Sequence, residues 1–312
     1  MVKSIVLTNL KTQDVITISK DGFDYILDEI DFDSPAVTLA TYRMPFQIGE
    51  SLSGVTVGTR KPNITGYIVC DTRNVHTSGM TWQDFFDYQE REIEQKKDNL
   101  NKLFSIYQDI RIQVGDFYLL GRPSSPPKYS ITEKENNEVL CYFTLDVTCF
   151  TPVFYGSSQK IDLATVTDLF HFPLIIPEGG IAFGSVMRRQ SIPITNNGDT
   201  KAGCVITIKA SGGSVQNPKV YNVNSGETFE LEGVTLNDGE YIEINTKINE
   251  ENVTKHTSNE TVSLIGNVKT GSTFLKIEQG ANYYSYDFGV GDVNNAEVSI
   301  EFTEEFFNIK NM

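Results

Sequence analysis

Residues 139–149, with the sequence VLCYFTLDVTC, decide the fold. Apolar side chains occupy every second position from Val139 to Cys149, and the positions between them are more polar. This period of two, with one face clearly more apolar, predicts a half-buried antiparallel strand. Its partner is expected at residues 128–133, joined through Glu135-Asn136-Asn137, because Asn tolerates the left-handed conformation that hairpin turns need.

A long helix is predicted over residues 81–107. Thr81 can cap it, and Asp84 follows three residues later in the manner of a capping box. The residues that share one helical face are Trp82, Phe85, Phe86, Gln89, Ile93, Leu100, Leu103, Phe104 and Tyr107. The pattern is typical of an amphipathic helix that lies on a sheet, with a solvated charged run at 90–98. The alternative, that the aromatic start of the helix contacts a neighbouring subunit, remains open.

Nearly all the remaining sequence predicts strands. In the first half these are residues 4–8, 15–19, 37–42, 53–57, 63–70, 109–113 and 117–120. In the second half they are residues 192–195, 204–210, 219–223, 228–231, 241–246, 253–257, 261–265, 273–278, 283–288 and 297–302. Turn signals such as Asn237-Asp238-Gly239 separate the second set, and short strands without helices between them indicate an all-β sandwich.

The chain therefore divides into two domains. The 312 residues agree with a prior of about 150 residues per domain. We assign residues 1–155 to an N-terminal β-sandwich-like domain with one long α-helix, and residues 191–312 to a C-terminal β-sandwich. Residues 156–190 carry turn signals and also apolar runs such as Leu169-Phe170-His171-Phe172, so we expect a packed connection. The predicted fold class is mainly β.

Charge and composition exclude several functions. The chain has 26 basic and 41 acidic residues, a net charge of −15, which disfavours specific nucleic-acid binding and docking on an anionic membrane. We expect no signal peptide, because residues 1–10 contain no long apolar run, and no membrane span, because no apolar stretch approaches 18 residues. The four cysteines form no C-x-x-C pair, which favours a reduced, intracellular folding history.

The sequence offers no convincing catalytic, cofactor or metal site. His76, His171 and His256 are scattered, so a zinc site is not expected, and His171 between two phenylalanines is interpreted as a packing residue. The acidic run at 21–33 lacks the order of a calcium loop, and we interpret it as the solvated face of an irregular segment.

The order of the segments resembles the distal tail proteins (Dit) of phages that infect Gram-positive hosts. The segments that carry this resemblance are GTRKPNITGYI at 58–68, the helix and its following hairpin, CFTPVFYG at 149–156, ITNNGD at 194–199, NDGEYIEINT at 237–246 and IEQGAN at 277–282. Thr151 departs from the pattern, because Asp is commoner there in the family. The resemblance covers nearly the whole chain.

This resemblance implies a structural component of the tail tip, or baseplate, without enzymatic activity or cofactor. The N-terminal domains are expected to form a homo-hexameric ring, with a galectin-like C-terminal β-sandwich on the outside. The ring would join the tail tube protein to the tail-associated hub or lysin protein and dock receptor-binding proteins, while DNA passes through it. The expected location is the virion tail tip, after assembly in the host bacterial cytoplasm.

The ring contact is predicted in residues 43–50, between the strands at 37–42 and 53–57. Arg43, Met44 and Phe46 are the candidate interface residues, because an isolated two-stranded ribbon is marginal in water and is expected to lie on a neighbour.

Two other functions remain open from the residues alone. One is a carbohydrate-binding adhesin, for which Tyr283, Tyr284 and Tyr286 are the candidate stacking platforms, with Tyr284 and Tyr286 on one strand face and Tyr283 on the other. The interpretation of these tyrosines as core and rim residues is favoured. The other function is a tail-associated hydrolase.

Overall fold

The computed structural model describes residues 2–70, 80–132, 139–168, 184–188, 192–291 and 293–309. The described chain contains one α-helix, two 3-10 turns and 23 strands. The chain divides into two compact units, one of residues 1–155 with 307–312 and one of residues 156–306. The predicted mainly β fold class is confirmed.

The first unit contains a curled sheet and the helix. Its strands are β1 (Ser4–Asn9), β2 (Val15–Ser19), β3 (Tyr25–Asp31), β4 (Val37–Tyr42), β5 (Ser51–Val57), β6 (Asn63–Val69), β7 (Ile110–Val114), β8 (Phe117–Pro123), β9 (Lys128–Thr132), β10 (Leu140–Thr148) and the start of β11 (Phe154–Asp168). The order in the sheet is β8-β7-β1-β2-β3-β6-β10-β9, and β10 also pairs with β8, which curls the sheet back on itself. Strand β10 alternates buried and half-buried side chains, as the opening segment predicts.

The helix α1 (Trp82–Leu103) begins with the predicted capping box. The backbone N–H of Asp84 donates to Thr81 Oγ1 over 3.2 Å, and the backbone N–H of Thr81 donates to the Asp84 carboxylate over 3.1 Å. The helix ends at Leu103 and not at Tyr107, because the backbone leaves the helical conformation at Phe104. Gln89, Ile93, Leu100 and Leu103 are buried on its inner face.

Strands extend into the acidic run, which the sequence predicts as irregular, and into the predicted packed connection. The acidic run contains β3, in which Tyr25 and Leu27 are buried, because alternate side chains of a strand face the same side of the sheet. A bulge between Leu27 and Glu29 interrupts this alternation. Within the interval 156–190, the described residues 156–168 and 184–188 also lie in strands. There Ala164–Asp168 pair with Gly184–Arg188.

The second unit is a β-sandwich. Its strands are the continuation of β11, β12 (Gly184–Arg188), β13 (Ile192–Asn196), β14 (Ala202–Ala210), β15 (Val215–Asn222), β16 (Thr228–Glu230), β17 (Thr235–Leu236), β18 (Tyr241–Asn245), β19 (Asn252–His256), β20 (Thr261–Ser263), β21 (Lys276–Ile277), β22 (Gly280–Val290) and β23 (Ala296–Phe306). One sheet has the order β20-β19-β18-β14-β23-β11, and the other β13-β22-β15-β16. Their inner faces share one apolar core that includes Leu163, Ile206, Phe229 and Ile300.

Candidate functional site

Strands β4 and β5 form a separate two-stranded sheet, which we call the arm (residues 36–58). Val37 pairs with Val57, Leu39 with Val55, and the backbone N–H of Gly58 donates to the Ala36 carbonyl over 2.8 Å at the root. Among the described residues, no third strand pairs with either side of this sheet. The arm therefore projects as an isolated ribbon, which is marginally stable unless it is covered.

One side of the arm is apolar and exposed. Because successive side chains of a strand point to opposite faces, the paired residues of β4 and β5 place their apolar members on the same face. This apolar face consists of Val37, Leu39, Leu52, Val55 and Val57. Leu39 keeps 60% of its surface exposed and Val55 56%. The opposite face carries Thr38, Ala40, Tyr42 and Thr56, so it is the more polar of the two faces.

The tip of the arm holds the three predicted interface residues together. The backbone N–H of Met44 donates to the Gln47 side chain over 3.0 Å, and the backbone N–H of Gln47 donates back to the Met44 carbonyl over 3.1 Å. This turn leaves Met44 and Phe46 exposed, and Arg43 lies at its base. Phe46 has a φ of +67°, a left-handed conformation that is unfavourable for an aromatic residue. The turn therefore presents an apolar tip in a constrained conformation.

The root of the arm is held by Arg60, which is 1% exposed. Its guanidinium donates to four backbone carbonyls, those of Pro152 over 3.0 Å, Asp33 over 2.8 Å, Phe307 over 2.5 Å and Phe32 over 3.4 Å. It also lies 4.6 Å from the centre of the Phe154 ring. Burial lowers the pKa of Arg60 from its usual value. The planar guanidinium carries several N–H donors, and their geometry matches the carbonyls that converge on it. Arg60 thus links the chain that enters the arm, at Asp33, to the segment at Phe307.

Sequence reasoning predicts the tip as an interface, which stays a prediction, and it does not identify the apolar face or the Arg60 cluster. The signal for the face was the alternation of apolar residues from Val37 and from Val55, which is the usual signature of a half-buried strand. Only the pairing shows that nothing in the described part of the chain covers this face. The Arg60 cluster joins residues as much as 247 positions apart, and no local pattern signals it.

Among the described residues, the other candidate side chains form no reactive site. His76 and His171 lie outside the described residues, and the His256 ring stacks on Tyr241 with 4.4 Å between ring centres. Burial raises the pKa of the Cys149 thiol to about 12 and that of Cys204 to about 11, which disfavours a reactive thiolate in either. Within the residues that the structure describes, His, Cys, Asp and Glu side chains form no group of three that could hold a metal ion. No described helix is long and apolar enough to cross a membrane.

The tyrosines that were considered as sugar platforms are mostly core residues. Tyr284 is 1% exposed, and its hydroxyl donates to the Lys276 carbonyl over 2.7 Å. Tyr286 packs partly buried against the same core, while Tyr283 on the opposite face is exposed. The predicted alternation is confirmed, and the arrangement favours packing over sugar stacking.

Residues 197–306 match the family model of the siphovirus-type tail component, C-terminal domain. This match confirms the resemblance to the distal tail proteins over residues 197–306.

One solved structure shows the same fold over nearly the whole length. The chain is similar to the Dit protein of phage SPP1, described as a paradigm of the hub adsorption apparatus in phages that infect Gram-positive bacteria. The identity is 12%, the TM-score is 0.62, and the match covers 97% of this chain and 99% of that one. A chain of the phage P2 baseplate, in its activated conformation with Ca, is 10% identical with a TM-score of 0.46, covering 97% of this chain and 98% of that one. No curated protein sequence matches the chain.

Proposed function

We propose that the chain forms a hexameric ring at the tail tip, in which the arm of each subunit lies on the next subunit. The observation that carries this proposal is the apolar face of the arm, which no other described residue of the chain covers. A closed ring needs a heterologous contact, in which one patch meets a different patch on the neighbour, and a projecting hairpin supplies one of the two patches.

The burial energy of one arm is comparable to the cost of association, which supports a ring held by several arm contacts together. Completing the burial of a half-exposed Val or Leu contributes about 1 kcal/mol, so the five residues of the apolar face supply about 5 kcal/mol. Association costs an estimated 4–15 kcal/mol in lost freedom of motion. The arm alone is therefore a weak contact. Closing the ring stabilises the assembly, because every subunit then both gives and receives an arm.

The ring would join the tail tube protein to the tail-associated hub or lysin protein and dock receptor-binding proteins. Its role is structural and non-enzymatic, and its place is the virion tail tip, after assembly in the host bacterial cytoplasm. The net charge of −15 supports a conduit for DNA, because few cations are available to replace the counterions of the phosphates.

The double variant Met44→Asp, Phe46→Asp tests this proposal at the tip. Both side chains are exposed in the single chain, so the variant is expected to fold with an unchanged melting temperature. In a ring each carboxylate would be buried without a partner, which costs several kcal/mol. Negative-stain electron microscopy should show six-fold rings for the wild type and single subunits for the variant. Rings that persist in the variant would exclude the tip from the interface.

A further inference from the structure

Strand β2 has an open edge. It pairs with β1 along its length on one side, but on the other side it meets β3 only where Ser19 lies beside Ile26. Within the described ranges, residues 15–18 have no strand on that side. An open edge of this kind is a template on which a further strand can pair.

At two positions of β2, the backbone N–H and C=O groups point toward the open edge. Lys20 donates its N–H to the Lys3 carbonyl over 2.8 Å, which fixes the antiparallel pattern of β1 and β2. Because bonded pairs recur at every second residue, the N–H and C=O groups of Val15 and Thr17 point away from β1. They face the open edge.

A groove runs beside this edge, between β2, the turn at residues 22–25 and the last turns of α1. Its volume is about 580 Å³, and Val15, Phe23, Asn99 and Lys102 contribute to its walls. Val15 is 56% exposed and Phe23 58%. The groove thus combines backbone groups with apolar surface, as in sites that bind an added strand.

Strand β4 of the arm carries the complementary edge. Since Gly58 bonds to Ala36 across the root, the alternation directs the backbone groups of Val37 and Leu39 away from β5. Strand β5 is the poorer edge, because Ser53 is an extra residue that forms a bulge opposite the step from Ala40 to Thr41. The regular outer edge of the arm is therefore that of β4.

We propose that β4 of one subunit adds to the β2 edge of the next subunit, with the apolar face of the arm lying along the groove. The inference rests on the proposed ring and names the surface that receives the arm. The occupant is a second copy of this chain, because its arm offers outward backbone groups at the same two-residue spacing as β2. It also offers an apolar face to cover Val15 and Phe23. Donor and receiver are different patches of one unit, as ring closure requires.

Disulfide trapping between mixed subunits tests this pairing. Chains with Thr17→Cys are mixed with chains that carry Val37→Cys or Leu39→Cys, because paired strands bring Cα atoms to about 5.5 Å, within disulfide range. One of the two mixtures should give a covalent dimer on a non-reducing gel after mild oxidation. Each single variant alone controls for the native cysteines and should give none. A wild-type ring without a trapped dimer in either mixture would overturn the proposed receiving surface.

A backbone variant gives a second readout. Thr17→Pro removes the outward N–H on an edge strand, where proline is tolerated, and Thr17→Val retains it. We expect the proline variant to keep its fold by circular dichroism and to associate at least about tenfold more weakly, with valine restoring assembly. Assembly of Thr17→Pro at wild-type strength would contradict the proposal. If arm variants break the ring while both tests at β2 fail, only the receiving surface is wrong. A wild type that forms no ring overturns both proposals.

Discussion

Leu39 and Val55 lie directly opposite each other in the arm, and both side chains remain more than half exposed, at 60% and 56%. A cross-strand pair of branched apolar residues is the kind of contact that stabilises a sheet when its face is covered. Here the pair lies in a ribbon with no layer on top of it in the described part of the chain. The exposed Leu39–Val55 pair therefore marks the face of the arm that we propose to lie on a neighbouring subunit.

The first prediction separates the two faces of the arm. Leu39→Asp places a carboxylate on the apolar face, and Thr38→Asp places one on the opposite face of the same strand. Both changes are at exposed positions, so the free energy of unfolding should change by less than about 0.5 kcal/mol in each. Burying the unpaired charge of the Leu39 variant should weaken subunit association more than about 100-fold. Sedimentation velocity measures this, and equal behaviour of the two variants would contradict the assignment of the faces.

The sequence predicts the regular elements well where local patterns are strong. The capping box at Thr81 predicts the start of helix α1, and the alternation in residues 139–149 predicts strand β10. Both elements are present. Strand β3 was misinterpreted because its carboxylates resemble a solvated loop, while its apolar residues are buried by partners distant in the chain. The arm strands were predicted at 37–42 and 53–57, but local sequence does not reveal whether a strand face is covered. The receiving edge of β2 and the Arg60 cluster depend on which strands become neighbours, which no local spacing encodes.

The second prediction concerns the Arg60 cluster. Arg60→Ala removes a side chain that is 1% exposed together with its part-buried hydrogen bonds to the carbonyls of Asp33, Pro152 and Phe307, so the N-terminal unit should lose about 3–5 kcal/mol of stability. Arg60→Lys should recover only part of this loss, because an ammonium group cannot reproduce the planar fork. Lys61→Ala, at the exposed neighbouring position, is the control and should change little. Thermal unfolding followed by circular dichroism should show a drop of roughly 10 °C for Arg60→Ala, and a change as small as that of the control would refute the role.

The third prediction is a pH dependence of the C-terminal sandwich. Burial raises the pKa of Glu305 from 4.5 to about 7, although Lys276 and Lys247 act in the opposite direction. The folded state therefore holds a proton that the unfolded state releases, so this contribution to stability is complete below pH 4.5. It is lost as the pH rises to about 7. Glu305→Gln should remove this slope and make the protein relatively more stable at pH 8. Urea unfolding at pH 5 and pH 8 measures the effect, and an unchanged slope in the variant would show that another group titrates.

The fourth prediction concerns the extent of the C-terminal domain. Leu163 is 2% exposed within the sandwich core, and β11 lies beside β23 in the same sheet. A fragment of residues 156–306 should therefore fold alone as a monomer. The fragment 191–312 lacks this strand and should be less stable by at least about 3 kcal/mol, the scale of deleting a buried Leu. Chemical denaturation of both fragments makes the comparison. Equal stability would favour a domain that begins near residue 191, as the sequence predicts.

The most direct test of the ring is the molar mass of the intact wild-type chain, measured by light scattering during size-exclusion chromatography over a range of concentrations. The account predicts a species of about six times the chain mass of 34.9 kDa, which dissociates in the Leu39→Asp variant and persists in Thr38→Asp. A wild-type chain that elutes with the mass of a single subunit at high concentration, and does so even with its tail partner proteins present, would contradict the central claim.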